Sequence, residues 1–312
     1  MRERRALVTG GAGFIGSHLI ENILEQGYEI QVIDNFSTGT QKNIEHVKNK
    51  IRVIEGDLRN LNFVLNNIKD VDLVFHFAAN PFVKLSSEDP IFDFNSNAIT
   101  TLHVLEAMRK NDIPTIVFSS SSTVYGEVDK FPIPEDADLK PISNYGASKI
   151  AAEALIRSFS KLYGINGLIL RYANIIGPRS DHGVVPDFVR KLKENNKKLL
   201  ILGNGKQKKS YLFISDCIDA SLLAFKHFNG GLDVFNVGSE EWMAVDDIAR
   251  IVCDEMRLSN VKFEYTGEER GWMGDIKKFL LDVTKIKKLG WEPKYNTEKS
   301  IGKTVEWLKT NL

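Results

Sequence analysis

The chain has 312 residues, 43% of them apolar and 26% charged, with 41 lysines and arginines balanced by 41 aspartates and glutamates. That is enough apolar material for one or two globular domains, and a net charge of zero leaves no global field to recruit nucleic acid or an anionic membrane. No window approaches the ~18 consecutive apolar residues of a membrane span.

The apolar run after the basic start, Ala6-Leu7-Val8, is too short for a secretory leader. Residues 5–9 instead read as a β-strand that breaks into Gly10-Gly11-Ala12-Gly13-Phe14-Ile15-Gly16 and then a helical pattern through Leu19, Ile20, Ile23 and Leu24. Glycines at 10, 13 and 16 let a pyrophosphate approach the N–H groups at a helix N-terminus, here those around Phe14 and Ile15. A second strand over 29–33 ends in Asp34, followed by Asn35. A carboxylate there accepts bonds from both ribose hydroxyls of NAD and repels the 2′-phosphate of NADP, so the predicted cofactor is NAD.

The alternation continues with strands over 51–54, 71–75, 115–118 and 167–171, a long helix over 90–109, and a helix carrying Tyr145 and Lys149. Apolar strands alternating with helices predict a Rossmann-type, doubly wound parallel sheet covered on both faces. Ligands of such sheets lie beyond the carboxyl ends of the strands, where the chain places Gly10, Asp34, Asp57, Ala78, Ser121 and Asn174. The predicted division is an NAD-binding domain over 1–174 and a mainly C-terminal α/β substrate lobe over 175–312, with the chain free to cross between them. In that second half, helices are expected over 184–194, 216–227, 245–256 and 297–309, with strands over 199–202 and 211–214 and near Val234 and Val261. The lysines at 191, 193, 197 and 198 read as a solvated face. Cys217 and Cys253 sit in apolar helical patterns without metal-ligand spacing, which points to reduced thiols in a cytoplasmic protein with no metal.

Tyr145 and Lys149 are four residues apart, hence neighbours on one helix face. An ammonium beside a phenol favours the phenolate, so Lys149 is expected to bring the Tyr145 pKa down and make it a proton acceptor.

The stretches GGAGFIGSHL (10–19), VIDNFSTG (32–39), GDL (56–58), HFAA (76–79), SSSSTVYG (119–126), YGASK (145–149), RYANIIGPR (171–179) and RGWMGD (270–275) cover nearly the whole chain. Together they resemble the extended short-chain dehydrogenase/reductase superfamily and, within it, NAD-dependent nucleotide-sugar epimerases of the UDP-glucose 4-epimerase type. The resemblance implies that Tyr145 is base and acid at the sugar 4-hydroxyl, that Lys149 holds the nicotinamide ribose, and that Ser121, four residues before Tyr125, bonds the 4-oxygen. The C4 hydride passes to NAD and returns to the other face of a 4-keto sugar. Asp57 and Leu58 are expected at the adenine, Ala78 and Ala79 along the cofactor channel, and Asn97 near the cofactor through its side chain.

For the substrate, a UDP-hexose, the resemblance implies Asn174 and Arg270 at the diphosphate, Lys209 where family members carry arginine, and Phe279 at the sugar pocket, the last two by a less secure register. A large residue at 279 disfavours N-acetylated sugars. Dehydratases of this superfamily carry an Asp-Glu pair between the serine and the tyrosine, and decarboxylases a glutamate; here those positions are Ser122 and Thr123, which cannot act as carboxyl acids or bases. A 4-keto-reductase, an epimerase of UDP-N-acetylhexosamines and a dinucleotide-sensing module remain as alternatives. The helices over 93–109 and 145–163 resemble the pair that makes a homodimer in the family.

Overall fold

The structure, a computed structural model, describes residues 4–272 and 274–312. The basic start at 1–3 and Met273, inside the RGWMGD motif, lie outside the described residues. Among those described, no helix is long and apolar enough to cross a membrane.

The first half of the chain follows the alternation. Strand β1 (Arg5–Thr9) leads into helix α1 (Phe14–Glu25) and strand β2 (Glu29–Asp34); β3 (Ile51–Glu55), helix α2 (Leu61–Asn67) and β4 (Leu73–His76) come next. The long helix expected over 90–109 is three pieces: α3 (Pro90–Phe94), a π-helical turn (Asn95–Ile99) and α4 (Thr100–Lys110). A π turn adds a residue to the helical repeat and re-aims the side chains around it, a feature that a 3.6-residue periodicity does not reveal. Strand β5 (Thr115–Ser121), helix α5 (Asn144–Tyr163) and strand β6 (Asn166–Tyr172) complete the unit. Helix α5 begins where the Ser143 side chain accepts from the Gly146 N–H and ends at Gly164, whose φ is 73°.

The second half opens with β7 (Asn174–Ile176), helix α6 (Val184–Glu194) and β8 (Lys198–Ile201). Then come β9 (Lys208–Lys209), β10 (Tyr211–Phe213), helix α7 (Ile214–His227), β11 (Leu232–Val237), β12 (Met243–Ala244), helix α8 (Val245–Glu255), β13 (Lys262–Tyr265) and helices α9 (Thr284–Lys287) and α10 (Thr297–Asn311). Strand β11 does not stay with its neighbours in sequence: it pairs with β6 and extends the first sheet to seven parallel strands in the order β11-β6-β5-β4-β1-β2-β3. A division at residue 174 is therefore not a clean cut of the chain, because residues from the second half return to cover and extend the first sheet. The other pairs, β7 with β10, β8 with β13 and β9 with β12, are two-stranded.

Successive side chains of a strand face opposite sides, so β1 sends Ala6 and Val8 into a layer with Ile20, Ile23, Val32 and Phe75, and Leu7 into a layer with Ile33, Val74, Ile116 and Ile169. Helices α6, α8 and α10 bury Phe188, Val189, Ile248, Ile301 and Val305 together in a third core. All seven strands of the sheet end on one edge. Strand β4 stops beside Phe118, so the last residues of β5, Ser119 to Ser121, pair on one side only, with β6. That stagger carries Ser121 past its neighbours into the open.

Candidate active site

A cleft of about 1010 Å³ runs along this edge between the two lobes. The glycine turn enters it first. Gly10 has φ of 67°, and a Cβ there would lie 2.6 Å from the Ala78 nitrogen; a Cβ on Gly16 would lie 2.3 Å from the Gly10 oxygen. Only glycine fits either place. Helix α1 starts at Gly13 without a side-chain cap, so its first N–H groups, with Phe14 and Ile15 in the cleft wall, face the cleft free to bind an anion. Asp34, at the end of β2, accepts from the Ala12 and Phe36 nitrogens at 2.9 and 2.8 Å; burial pushes its carboxyl above the usual range, against those bonds. Asn35 donates to Asp57 at 3.3 Å, and the Arg59 guanidinium holds Asp57 down to about 2. Asn35, Asp57, Leu58, Ala78 and Ala79 all line the cleft. The uncapped helix start, the side-chain-free cradle and the terminal acid fit a dinucleotide.

Asn97 is different. Its amide donates to Asp93 at 3.1 Å and Ser148 at 3.0 Å, its carbonyl accepts from the Asn80 nitrogen, and it is 2% exposed. Its side chain, expected near the cofactor, is engaged by these groups and does not line the cleft.

Farther along, Ser121, Tyr145 and Lys149 share the cleft wall. The Lys149 Nζ donates to the Ser119 oxygen at 2.8 Å and lies 5.7 Å from the centre of the Tyr145 ring. The Thr123 hydroxyl and N–H both donate to the Ser121 oxygen, leaving the Ser121 hydrogen to point elsewhere. Burial pushes the Tyr145 phenol well up, Asp93 adds to that, and only the Ser121 hydroxyl pulls the other way. Burial pushes Lys149 down to about 8, opposed by Asp93 and Glu153. The expected lowering of Tyr145 by Lys149 is thus reversed in the free protein. Removal from water outweighs the neighbouring ammonium, which is itself engaged by Ser119.

The substrate candidates divide. Asn174 and Phe279 line the cleft, and the Asn174 Nδ2 is buried without a partner among the described residues, as is the Oε1 of Gln207, a residue absent from the sequence expectations. A buried donor left unpaired is costly, so a ligand atom belongs there. Lys209 lines the cleft and is ion-paired with Asp275. Arg270 does not line it: its guanidinium donates to Glu127 at 2.8 Å and to the Asp275 oxygen at 2.9 Å. The guanidinium expected at the diphosphate is thus ion-paired in the free protein, with a carboxylate 143 residues earlier in the chain. His76 is fully buried between Thr9 and Thr101 and pushed down to about 3 by burial; it is a neutral packing residue.

A larger hollow of about 1190 Å³ lies at the opposite, amino edge of the sheet, lined by Arg4, Tyr28, Asp72 and Phe225 among others. It gathers none of these groups.

A description of the NAD dependent epimerase/dehydratase family matches residues 6–238. The chain belongs to that family. Its cofactor is NAD, which the glycine cradle and Asp34 are built to hold. It is 35% identical over 311 residues to a protein of Methanocaldococcus jannaschii described as a putative UDP-glucose 4-epimerase, covering 98% of each chain. Among solved structures, it is similar to a UDP-galactose 4-epimerase at 41% identity and a TM-score of 0.90, covering 99% of each chain. It is also similar to the Thermus thermophilus UDP-glucose 4-epimerase in complex with NAD, at 32% identity and a TM-score of 0.89, covering 99% of this chain and all of that one.

Proposed function

We propose that this protein inverts C4 of a UDP-hexose, interconverting UDP-glucose and UDP-galactose. The observation that carries the reading is the company of the site: Ser121, Tyr145 and Lys149 meet at the sheet edge, and the residues beside Ser121 are the hydroxyls of Ser122 and Thr123. No eliminating or decarboxylating carboxyl stands at either place, so a ketone formed at C4 has only one onward route, reduction.

Tyr145 takes the 4-hydroxyl proton and later returns it. The Ser121 hydroxyl, which bonds the Tyr145 phenol in the free protein, turns to the 4-oxygen. Lys149 holds the nicotinamide ribose. Bound NAD supplies the hydride acceptor that becomes the donor on the return step. The unpartnered Asn174 amide and Lys209 take the diphosphate, and Phe279, 4% exposed, favours sugars without an N-acetyl group.

A second copy of the chain is assigned to the side of the α3, α4 and α5 helices, where Ile91 of α3 is 75% exposed and Leu162, at the far end of α5, is 66% exposed; large apolar side chains this open suit an interface. Size-exclusion chromatography with light scattering should read twice the chain mass.

The test of function is incubation of the purified protein with UDP-, GDP- and dTDP-sugars without added cofactor, products separated by chromatography. Conversion of UDP-galactose to UDP-glucose with constant bound NAD is expected. Stoichiometric build-up of NADH, or no isomer from any sugar, would show the reading to be wrong.

A further inference from the structure

Three elements present titratable groups to the Tyr145 and Lys149 pair. Glu153, one turn farther along α5, acts on Lys149, but the Arg171 guanidinium matches its charge at 2.7 Å, with both side chains 1% exposed. His76, from β4, is neutral. Asp93, from α3, is 0% exposed and among the described residues has no cation in ion-pair contact. Its neighbours are neutral donors: Ser148 Oγ at 2.8 Å, Asn80 Nδ2 at 3.1 Å and Asn97 Nδ2 at 3.1 Å. Two asparagines and a serine converge on one carboxyl group. Burial pushes the Asp93 carboxyl above its ordinary range, and these three donors, with the more distant Lys149 charge, pull the other way and favour the ionised form; a buried anion without a contact cation is otherwise costly.

The placement is built by local chemistry. The Asp89 side chain caps α3 at the Phe92 N–H, Pro90 occupies its first turn, and the π turn that follows brings Asn97 under Asp93. The same serine that donates to Asp93 lies between Tyr145 and Lys149 in sequence, and its oxygen is 2.9 Å from the Tyr145 carbonyl.

We infer that Asp93 is the counter-charge of the catalytic pair, a positioning residue whose buried carboxylate keeps the Lys149 ammonium charged and opposes ionisation of the Tyr145 phenol. One negative charge acts on both groups in the same direction, favouring the protonated form of each. After burial, its charge is the strongest influence on both groups. The phenol is thereby held protonated in the resting site, and its ionisation depends on whatever positive charge the loaded site adds.

The inference rests on the reading of Tyr145 as the base, and two readouts separate the two. The first is the pH profile of kcat/KM for UDP-galactose in NAD-loaded wild type and Asp93→Asn. Both the acid and the alkaline limbs of the variant should move to lower pH, by about 1 unit. Limbs that coincide with those of the wild type, at whatever reduced rate, mean that Asp93 only holds the helix in place and overturn the inference. The second needs no substrate: ultraviolet titration of the Tyr145 phenolate, taken as the difference from Tyr145→Phe, should show the same downward move in Asp93→Asn. A wild type that turns over no nucleotide sugar sinks the functional reading, and the phenolate titration still decides the role of Asp93. Asp93→Ser, which keeps a hydroxyl for the two asparagine amides, makes both tests should the asparagine variant not fold.

Discussion

The ammonium of Lys149 donates to the main-chain oxygen of Ser119 at 2.8 Å, tying the staggered end of β5 to the helix that carries Tyr145. Because Ser119 pairs with β6 alone, its strand end is set by that one bond as well as by the sheet. The consequence is a cation buried to 2% exposure between the strand and the helix, where it is costly to the fold and useful to the chemistry.

That tension is measurable. In the cofactor-free protein the Lys149 pKa is about 8, below the 10.5 of a free lysine. Between those values the unfolded chain binds a proton that the folded one does not, so stability rises with pH across that window and the full penalty is present below it. Lys149→Met should therefore be more stable than the wild type at pH 7, by on the order of 3 kcal/mol from burial. The difference should shrink from pH 8 to 10.5 in thermal melts. A variant less stable at pH 7 would mean that the Ser119 bond outweighs the desolvation.

Tyr145→Phe keeps the buried ring and removes the phenol placed beside Ser121. Conversion of UDP-galactose should fall by about 10²–10⁴-fold, while the NAD content of the purified protein, read by absorbance after denaturation, stays unchanged. Near-normal turnover would show that another group takes the proton.

For Asn174→Ala, affinity and stability should part. The Nδ2 it removes has no partner in the protein, so the melting temperature should not fall. The KM for the nucleotide sugar should rise by roughly tenfold, the worth of one bond to a charged oxygen. A lowered melting temperature with unchanged KM would assign the amide to the fold.

Arg171 bonds Glu153 through two nitrogens at 2.9 and 2.7 Å and also donates to Tyr125 and to the Glu135 oxygen at 2.8 Å. Arg171→Met leaves the buried Glu153 with the Ser120 hydroxyl at 2.6 Å and the half-exposed Arg157 guanidinium at 3.8 Å, so the cost should lie near the lower end of the about 3–5 kcal/mol of a broken buried pair. Thermal unfolding should begin well below that of the wild type, and Arg171→Met combined with Glu153→Leu should recover much of the loss.

The legible part of the site was the part written in short spacings. Gly10, Gly13 and Gly16 announce a close backbone approach, strict at Gly10 and Gly16 where no other residue fits, and Asp34 ends a strand whose apolar pattern locates it. Asn174 and Ser121 could be placed at strand ends by counting. Arg270 could not, since its partner Glu127 is distant in sequence and exposed in pattern. The cluster of Asp93, Asn97, Asn80 and Ser148 could not be found either, because it joins three segments of chain and a π turn that leaves no mark on the hydrophobic period.

The sequence by itself determined the alternation of strand and helix, the glycine cradle, the terminal acid and the pairing of Tyr145 with Lys149, since each follows from residue type and local spacing; Ser121 joined them through the family resemblance. The tertiary structure decided that β11 returns to the first sheet, that Arg270 is held by Glu127 and Lys209 by Asp275, and that burial raises the Tyr145 phenol instead of letting Lys149 lower it. Spacing is local, but desolvation and charge are sums over everything that folding brings near, and those sums exist only once the chain has closed around its site.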